Sequence, residues 1–198
     1  EPAVVLLDEP LSASDPQFRA DLQHQLKRLH HSTRTTFILV THNFSEALSL
    51  ATSAAIINGG RIEQQGDLME IFKRPCSRFV ADFVGMKNVF QAVFEKSLAR
   101  VNGISVHTGA EALTRKGYIA IRPEDIVLSV TRLDSSIRNS FMGTVDSVID
   151  KGFTCEVCVS VGDTVFNSLI TRSALVDLGI EPGRELFVSF KATAVHSF

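Results

Sequence analysis

Hydrophobic and polar positions divide this chain into two textures, with a seam near Gly85-Met86-Lys87-Asn88. Before the seam, short apolar runs alternate with stretches of helical spacing. Residues 3–7 form a continuous apolar run, the pattern of a strand buried on both faces of a parallel sheet. Asp15-Pro16 predicts a helix start, because Asp caps well and Pro has no N–H to satisfy at the first helical position. Phe18, Leu22, Leu26 and Leu29 follow at helical spacing. Residues 37–40 predict a second buried strand, and residues 46–51 a short helix. Gly59-Gly60 between residues 54–58 and 61–65 signals a hairpin. Asp67 and Ser77 predict helix caps for residues up to 72 and 84. After the seam, alternation takes over, with strands expected near 90–94, 104–108, 118–122, 126–130, 141–149, 153–161, 164–171 and 185–190. A short helix capped by Ser173 is expected to end at Gly179. No long internal repeat is visible.

The expected architecture is therefore an α/β layer with crossover connections over residues 1–86, and a small antiparallel barrel or sandwich over residues 87–198. At 198 residues the chain is long enough to bury a core without disulfides or metal. Its 44% hydrophobic and 21% charged residues mark a globular protein. A formal charge of -2 with no basic tract speaks against general nucleic-acid binding. No apolar run reaches the roughly 18 residues of a membrane span, and no charged-then-apolar leader is visible. Three cysteines point to a reducing compartment. Cys155 and Cys158 have a zinc-pair spacing but lack a second pair, and on a strand they face opposite sides. His30-His31 fits a solvated helix end, and the 14 Phe residues are expected to fill cores.

The first concentration of chemistry is Asp8-Glu9-Pro10, reached directly from the apolar run. Adjacent acids at the carboxyl end of a buried parallel strand stand where ligands bind in open α/β sheets. One carboxylate there can hold hydrated Mg²⁺ while its neighbour orients or deprotonates a water. Residues 7–15, Leu-Asp-Glu-Pro-Leu-Ser-Ala-Ser-Asp, resemble the Walker B strand and D-loop of ABC-transporter ATPases. Val40-Thr41-His42, ending the next strand, resembles the switch-histidine loop of that family. The resemblance implies a partial P-loop NTPase fold, with ATP as substrate and Mg²⁺ as cofactor. Asp8 would hold Mg²⁺ through water, Glu9 would polarise the attacking water, and His42 would contact the γ-phosphate. Ser12 and Asp15, in the D-loop, would reach a second subunit. Ser14 stands where the family usually has Leu, and Asn43 where Asp is common. G-x-x-x-x-G-K-[ST] and the Ser-Gly-Gly-Gln-type signature are absent from these residues, and the chain begins at Glu1 without Met. The expectation is that an N-terminal half precedes Glu1, that this chain alone neither binds ATP tightly nor hydrolyses it, and that residues 1–85 are poorly stable alone.

The second concentration lies beyond the seam. Ile121-Arg122-Pro123-Glu124-Asp125-Ile126 resembles the TOBE module, an OB-like accessory barrel of many importers. Ser136-Ile137-Arg138-Asn139 with Gly143, then residues 170–174, 178–183 and 190–195, resemble a Mop, or molybdate-binding, unit. The resemblance implies an oxyanion site drawing on Ser136, Arg138, Asn139, Thr171, Ser173, Lys191 and Thr193, formed between two subunits. The chemistry fits a tetrahedral anion: cationic Lys191, several hydroxyls and the free N–H groups at Ser173. The same residues also fit a barrel that binds nothing, with Lys191 solvated, Ser173 a plain cap and Gly143 at a bulge. The resemblance implies a homodimeric ATPase subunit of an importer, peripheral on the cytoplasmic face of the membrane with permease subunits as partners, and molybdate or tungstate as cargo and regulator. An importer for sulfate, iron, polyamine or sugar, or a stand-alone oxyanion-binding protein, are the alternatives.

Overall fold

The computed structural model describes residues 2–12, 15–112 and 114–198, and the chain divides into two compact units, 1–76 and 77–198. In the first unit, β1 (Val4–Asp8) pairs in parallel with β2 (Thr36–Val40), from Val4 opposite Thr36 to Asp8 opposite Val40. A parallel pair needs a crossover, which α1 (Pro16–Thr33) supplies. The Asp15 carboxylate accepts from Phe18 N at 2.9 Å and fixes its start. Then come α2 (Phe44–Leu50), the antiparallel hairpin of β3 (Ser53–Asn58) and β4 (Arg61–Asp67), and α3 (Leu68–Lys73). Gly59 and Gly60 both take positive φ in the hairpin turn, a conformation side chains disfavour. Asp67 caps α3 through Met69 N and Glu70 N.

The two-sided burial expected of β1 and β2 is not found. Val5, Leu7, Phe37 and Leu39 are half-buried, on the face where the His30 ring of α1 meets Phe37 at 5.7 Å. On the other face Val4, Leu6, Ile38 and Val40 are exposed. A continuous apolar run says that both faces tolerate burial; whether both are covered depends on neighbouring layers.

The second unit begins earlier than the composition seam, because the Ser77-capped helix α4 (Arg78–Phe83) groups with it. It continues through β5 (Asn88–Glu95), β6 (Leu98–Val101), β7 (Ile104–His107), β8 (Lys116–Ile121), β9 (Val127–Ser129), β10 (Asn139–Asp150), β11 (Thr154–Val161), β12 (Thr164–Thr171), α5 (Arg172–Asp177), β13 (Glu185–Phe190) and β14 (His196–Ser197). Two five-stranded sheets result, ordered β12-β11-β10-β13-β9 and β14-β8-β5-β6-β7. They share one apolar core that includes Ile119, Ile121, Val157, Val159, Phe166, Val188 and Phe190. The Phe166 ring lies 5.3 Å from Phe90, 5.7 Å from Phe190 and 6.4 Å from Phe141. Phe18, Phe79 and Phe153 depart from the core role expected of phenylalanine: all three are exposed.

The registers disclose an internal duplication that the sequence pattern conceals. β5 pairs with β8 from Asn88 opposite Ile121 to Val93 opposite Lys116, and β10 pairs with β13 from Asn139 opposite Phe190 to Thr144 opposite Glu185. The two pairings superpose residue for residue, with shifts of 51 (88 to 139) and 69 (121 to 190). The hairpins match at a shift of 60, since Val101 faces Ile104 as Val161 faces Thr164. The short last strands are exchanged: β14 adds to β8 of the first half, and β9 adds to β13 of the second. Asn88 and Asn139 close the barrel in the same way. Asn88 bridges the backbone N–H and C=O of Asn167 on β12 at 2.6 and 2.9 Å, and Asn139 bridges those of His107 on β7 at 2.7 and 2.9 Å. Both are buried and serve as peptide surrogates between sheets. Because the shift grows from 51 to 60 to 69, through two insertions of nine residues, no fixed period exists to be read from the sequence.

Candidate functional site

The parallel register of β1 and β2 brings the two sequence motifs of the first unit together. Chain leaving Asp8 turns at Glu9, whose φ of 45° lies in the left-handed region that a non-glycine residue rarely occupies. Glu9 N donates to Val40 O at 2.9 Å, which extends the ladder past Asp8. Glu9 Oε1 accepts from the backbone N of His42 at 3.1 Å and lies 2.7 Å from His42 Nδ1. This carboxylate is one-third exposed and the imidazole largely exposed. The hydrogen bond to the Glu9 carboxylate, then its charge, holds the His42 pKa above its ordinary value. Asp8 is exposed at the strand end, and its side chain makes no hydrogen bond or ion pair among the described residues. Ser12 donates its hydroxyl back to Glu9 O at 2.9 Å, and Asp15 is occupied in capping α1. Ala13 and Ser14, between them, lie outside the described residues.

The loop carrying His42 is held by a residue the sequence reading passed over. Glu46, buried in the first turn of α2, accepts from the Thr41 hydroxyl at 2.7 Å and from Asn43 Nδ2 at 3.3 Å. The Thr41 hydroxyl in turn accepts from Asn43 N at 3.0 Å, and Asn43 caps the helix through Ser45 N. Glu three residues after an Asn cap is a legible capping-box signal. A carboxylate buried this deeply needs several donors, and two side chains supply them here.

In the second unit, the seven residues expected to form one oxyanion site fall into two groups. Arg138 precedes Asn139 and Lys191 follows Phe190, so they stand at the end of the β10–β13 pairing, one step beyond its last registered pair. Ser136 lies just upstream, and Thr193 lies in the short 3-10 turn after Lys191. Arg138 and Lys191 are exposed and make no ion pair among the described residues. Asn139, in contrast, is buried and fully used in binding His107. Thr171 and Ser173 sit elsewhere. β11 and β12 pair Thr154 with Thr171 beside the Asp150 end of β10, eleven residues from Asn139, or roughly 36 Å of extended strand. Thr171, not Ser173, caps α5: its hydroxyl accepts from Ala174 N at 3.2 Å and lies 3.0 Å from the Ser173 hydroxyl.

One further expectation changes. Gly143 is not a bulge; it pairs with Leu186, and the register shift falls between Val145 and Ser147. A Cβ on Gly143 would meet Ser160 O at 2.7 Å, so the strands approach too closely for a side chain. Glu156 is buried, and both its oxygens accept from Lys87 Nζ, at 2.7 and 2.6 Å. Among the described residues no group of three or more His, Cys, Asp or Glu is placed to hold a metal, and Cys158 Sγ lies 3.2 Å from Asn167 Oδ1. Among the described residues no helix is long and apolar enough to cross a membrane.

Residues 135–197 match the TOBE domain family. Over all 198 residues the chain is 35% identical to a molybdate/tungstate import ATP-binding protein, WtpC, of Pyrococcus horikoshii, and spans 57% of it. It is also 42% identical over 163 residues, 76% of the chain, to a spermidine/putrescine import ATP-binding protein, PotA, of Trichormus variabilis, of which it covers 42%. Among solved structures, the cytoplasmic molybdate-binding protein ModG with molybdate bound aligns at 20% identity over 55% of this chain and 93% of that one, with a TM-score of 0.47. The chain thus spans about half the length of the curated relatives it matches. Its whole length is similar in sequence to import ATP-binding proteins, and its residues 135–197 to the TOBE domain family.

Proposed function

We propose that these residues serve in an ATP-hydrolysing subunit of an importer for molybdate or tungstate, and that the second unit senses the same oxyanion. The observation that carries the first part is the convergence of Glu9 and His42: two residues 33 apart in sequence share one carboxylate oxygen. Asp8, exposed at the strand end with its carboxylate unengaged, fits a hydrated Mg²⁺, which takes one or two carboxylates besides phosphate oxygens. Such an ion, when bound, supplies charge neutralisation at the phosphates. Glu9 would orient the attacking water, and the Nε2 side of His42 would face the γ-phosphate while Nδ1 stays on Glu9. Ser12 and Asp15 would contact a second subunit. Within these 198 residues no phosphate-cradling glycine loop occurs, so the isolated chain is expected to show no ATP turnover.

For the second unit, the separation of Arg138 and Lys191 from Thr171 and Ser173 favours a site completed by a second copy: the cationic end of one tail would meet the hydroxyl-bearing helix start of the other. Oxyanion binding that favours one arrangement of the dimer would shift its population and so regulate transport. Partner permease subunits and a position on the cytoplasmic face follow from the importer role. Titration of molybdate and tungstate into the 198-residue chain, with sedimentation in parallel, tests this reading. Heat of binding accompanied by dimer formation, and lost in Lys191→Ala, is expected. Absence of binding in a dimeric sample would leave an importer of another solute, such as the polyamines in the names of several relatives.

A further inference from the structure

The duplication supplies each half with a pair of cations in the same place. Lys87 precedes Asn88 and Arg122 follows Ile121, at the end of the β5–β8 pairing. Arg138 and Lys191 hold the equivalent positions at the end of β10–β13. A cation in either place attracts a negative group. The two halves differ in what they supply. In the first half, both Glu156 oxygens take Lys87 Nζ at 2.6 and 2.7 Å, with Lys151 Nζ also 3.8 Å away, and Arg122 lies 4.0 Å from Glu124. In the second half neither Arg138 nor Lys191 has an acidic partner among the described residues.

The source of the difference is visible in the register. Glu156 pairs with Ile149 in the part of the β10–β11 hairpin created by the first nine-residue insertion. The corresponding β5–β6 hairpin closes at Glu95 opposite Leu98 and has no such segment. The longer arm of the second half therefore delivers a carboxylate to Lys87 of the first half, and the shorter arm of the first half delivers nothing in return.

We propose that Glu156 is the built-in anion at Lys87, one member of the first cation pair. Each chain then offers one open oxyanion position, at Arg138 and Lys191, and a second, latent position at Lys87 that Glu156 fills. The open position rests on the oxyanion-sensing reading above; the latent one rests on the Lys87–Glu156 geometry alone. Glu156→Gln keeps the side-chain volume and removes the charge, leaving Lys87 and Lys151 without their acid, so a free tetrahedral oxyanion takes its place.

Calorimetric titration of the full 198-residue chain with sodium molybdate at low ionic strength separates these statements. Wild type is expected to bind one molybdate per chain. Glu156→Gln is expected to bind one more, and Lys87→Met added to Glu156→Gln is expected to remove it. Lys87→Met in the wild-type background is expected to leave binding unchanged, and this arm stands should Glu156→Gln fail to fold. No binding by wild type together with a gain in Glu156→Gln would remove the sensing reading and keep the assignment of Glu156. Two molybdates bound by wild type, no gain in a folded Glu156→Gln, or loss of wild-type binding in Lys87→Met would each overturn the assignment.

Discussion

β1 is denser in apolar residues than β11 and is buried less. In β1, Val4 and Leu6 remain 51% and 67% exposed, whereas Val157 and Val159 of β11 are fully buried. The second unit folds its strands back over one another, exchanges its last strands between halves and stitches the seams with Asn88 and Asn139. Its inner faces, with Val157, Val159, Phe166 and Phe190 among them, meet one another within the unit. The first unit has one helix-covered face on a two-stranded sheet, and a second face that no described residue covers. Hydrophobicity makes burial favourable; only a second layer makes it happen.

The largest test of this contrast is cooperative stability. Limited proteolysis is expected to leave a resistant core starting near Ser77, with cleavage in residues 1–76 preceding any loss of β10–β13 by orders of magnitude in rate. A resistant fragment containing β1 and β2 would break the comparison. Next come single core substitutions. Phe166→Ala, which empties the centre of four aromatic rings, should cost about 3–5 kcal/mol in denaturant unfolding. Leu6→Ala should stay within roughly 0.5 kcal/mol, and comparable losses at both positions would show that the exposed face of β1 is covered in solution.

Asn88→Ala and Asn139→Ala sharpen the comparison inside the second unit. Each leaves one part-buried backbone N–H and C=O unpaired, so each should cost about 1–3 kcal/mol. Closely matched losses would support the equivalence of the halves; a large loss at one position and none at the other would contradict it. The smallest effect is the pH response of the first unit. Glu9 raises the His42 pKa above its ordinary 6.5. A raised folded-state pKa contributes stability that is fully present below 6.5 and is lost as pH rises through the elevated value. NMR titration of His42 should show this elevation, and Glu9→Gln should return it toward 6.5. An unchanged His42 titration in that variant would mean that the Glu9–His42 contact is not formed in solution.

The chemistry of the first site was legible in the residues: acids after an apolar run, a His after the next run, and a capped helix between them. Their meeting at one carboxylate oxygen was not, because it follows from a parallel register that places Asp8 opposite Val40. Glu46 was missed although its capping-box spacing is in the sequence, since spacing does not reveal that its carboxylate is buried against Thr41. The oxyanion set was legible as residue types and illegible as a site, because positions close in a motif lie at opposite ends of the long β10.

By itself the sequence determined most of the local elements: strand and helix positions other than β6 and β14, most caps, the Gly59-Gly60 turn, and the change of texture between the two parts. These depend on neighbours within a few residues, where alternation, helical spacing and cap chemistry act. Tertiary structure alone decided the rest. It grouped α4 with the barrel, left one face of β1 uncovered, exchanged β9 and β14 between duplicated halves, and buried Glu156 on Lys87. The physical reason is range: pairing register and charge compensation join residues 33 to 79 positions apart, as at Glu9–His42 and Asn88–Asn167, and no local pattern encodes which distant partner wins.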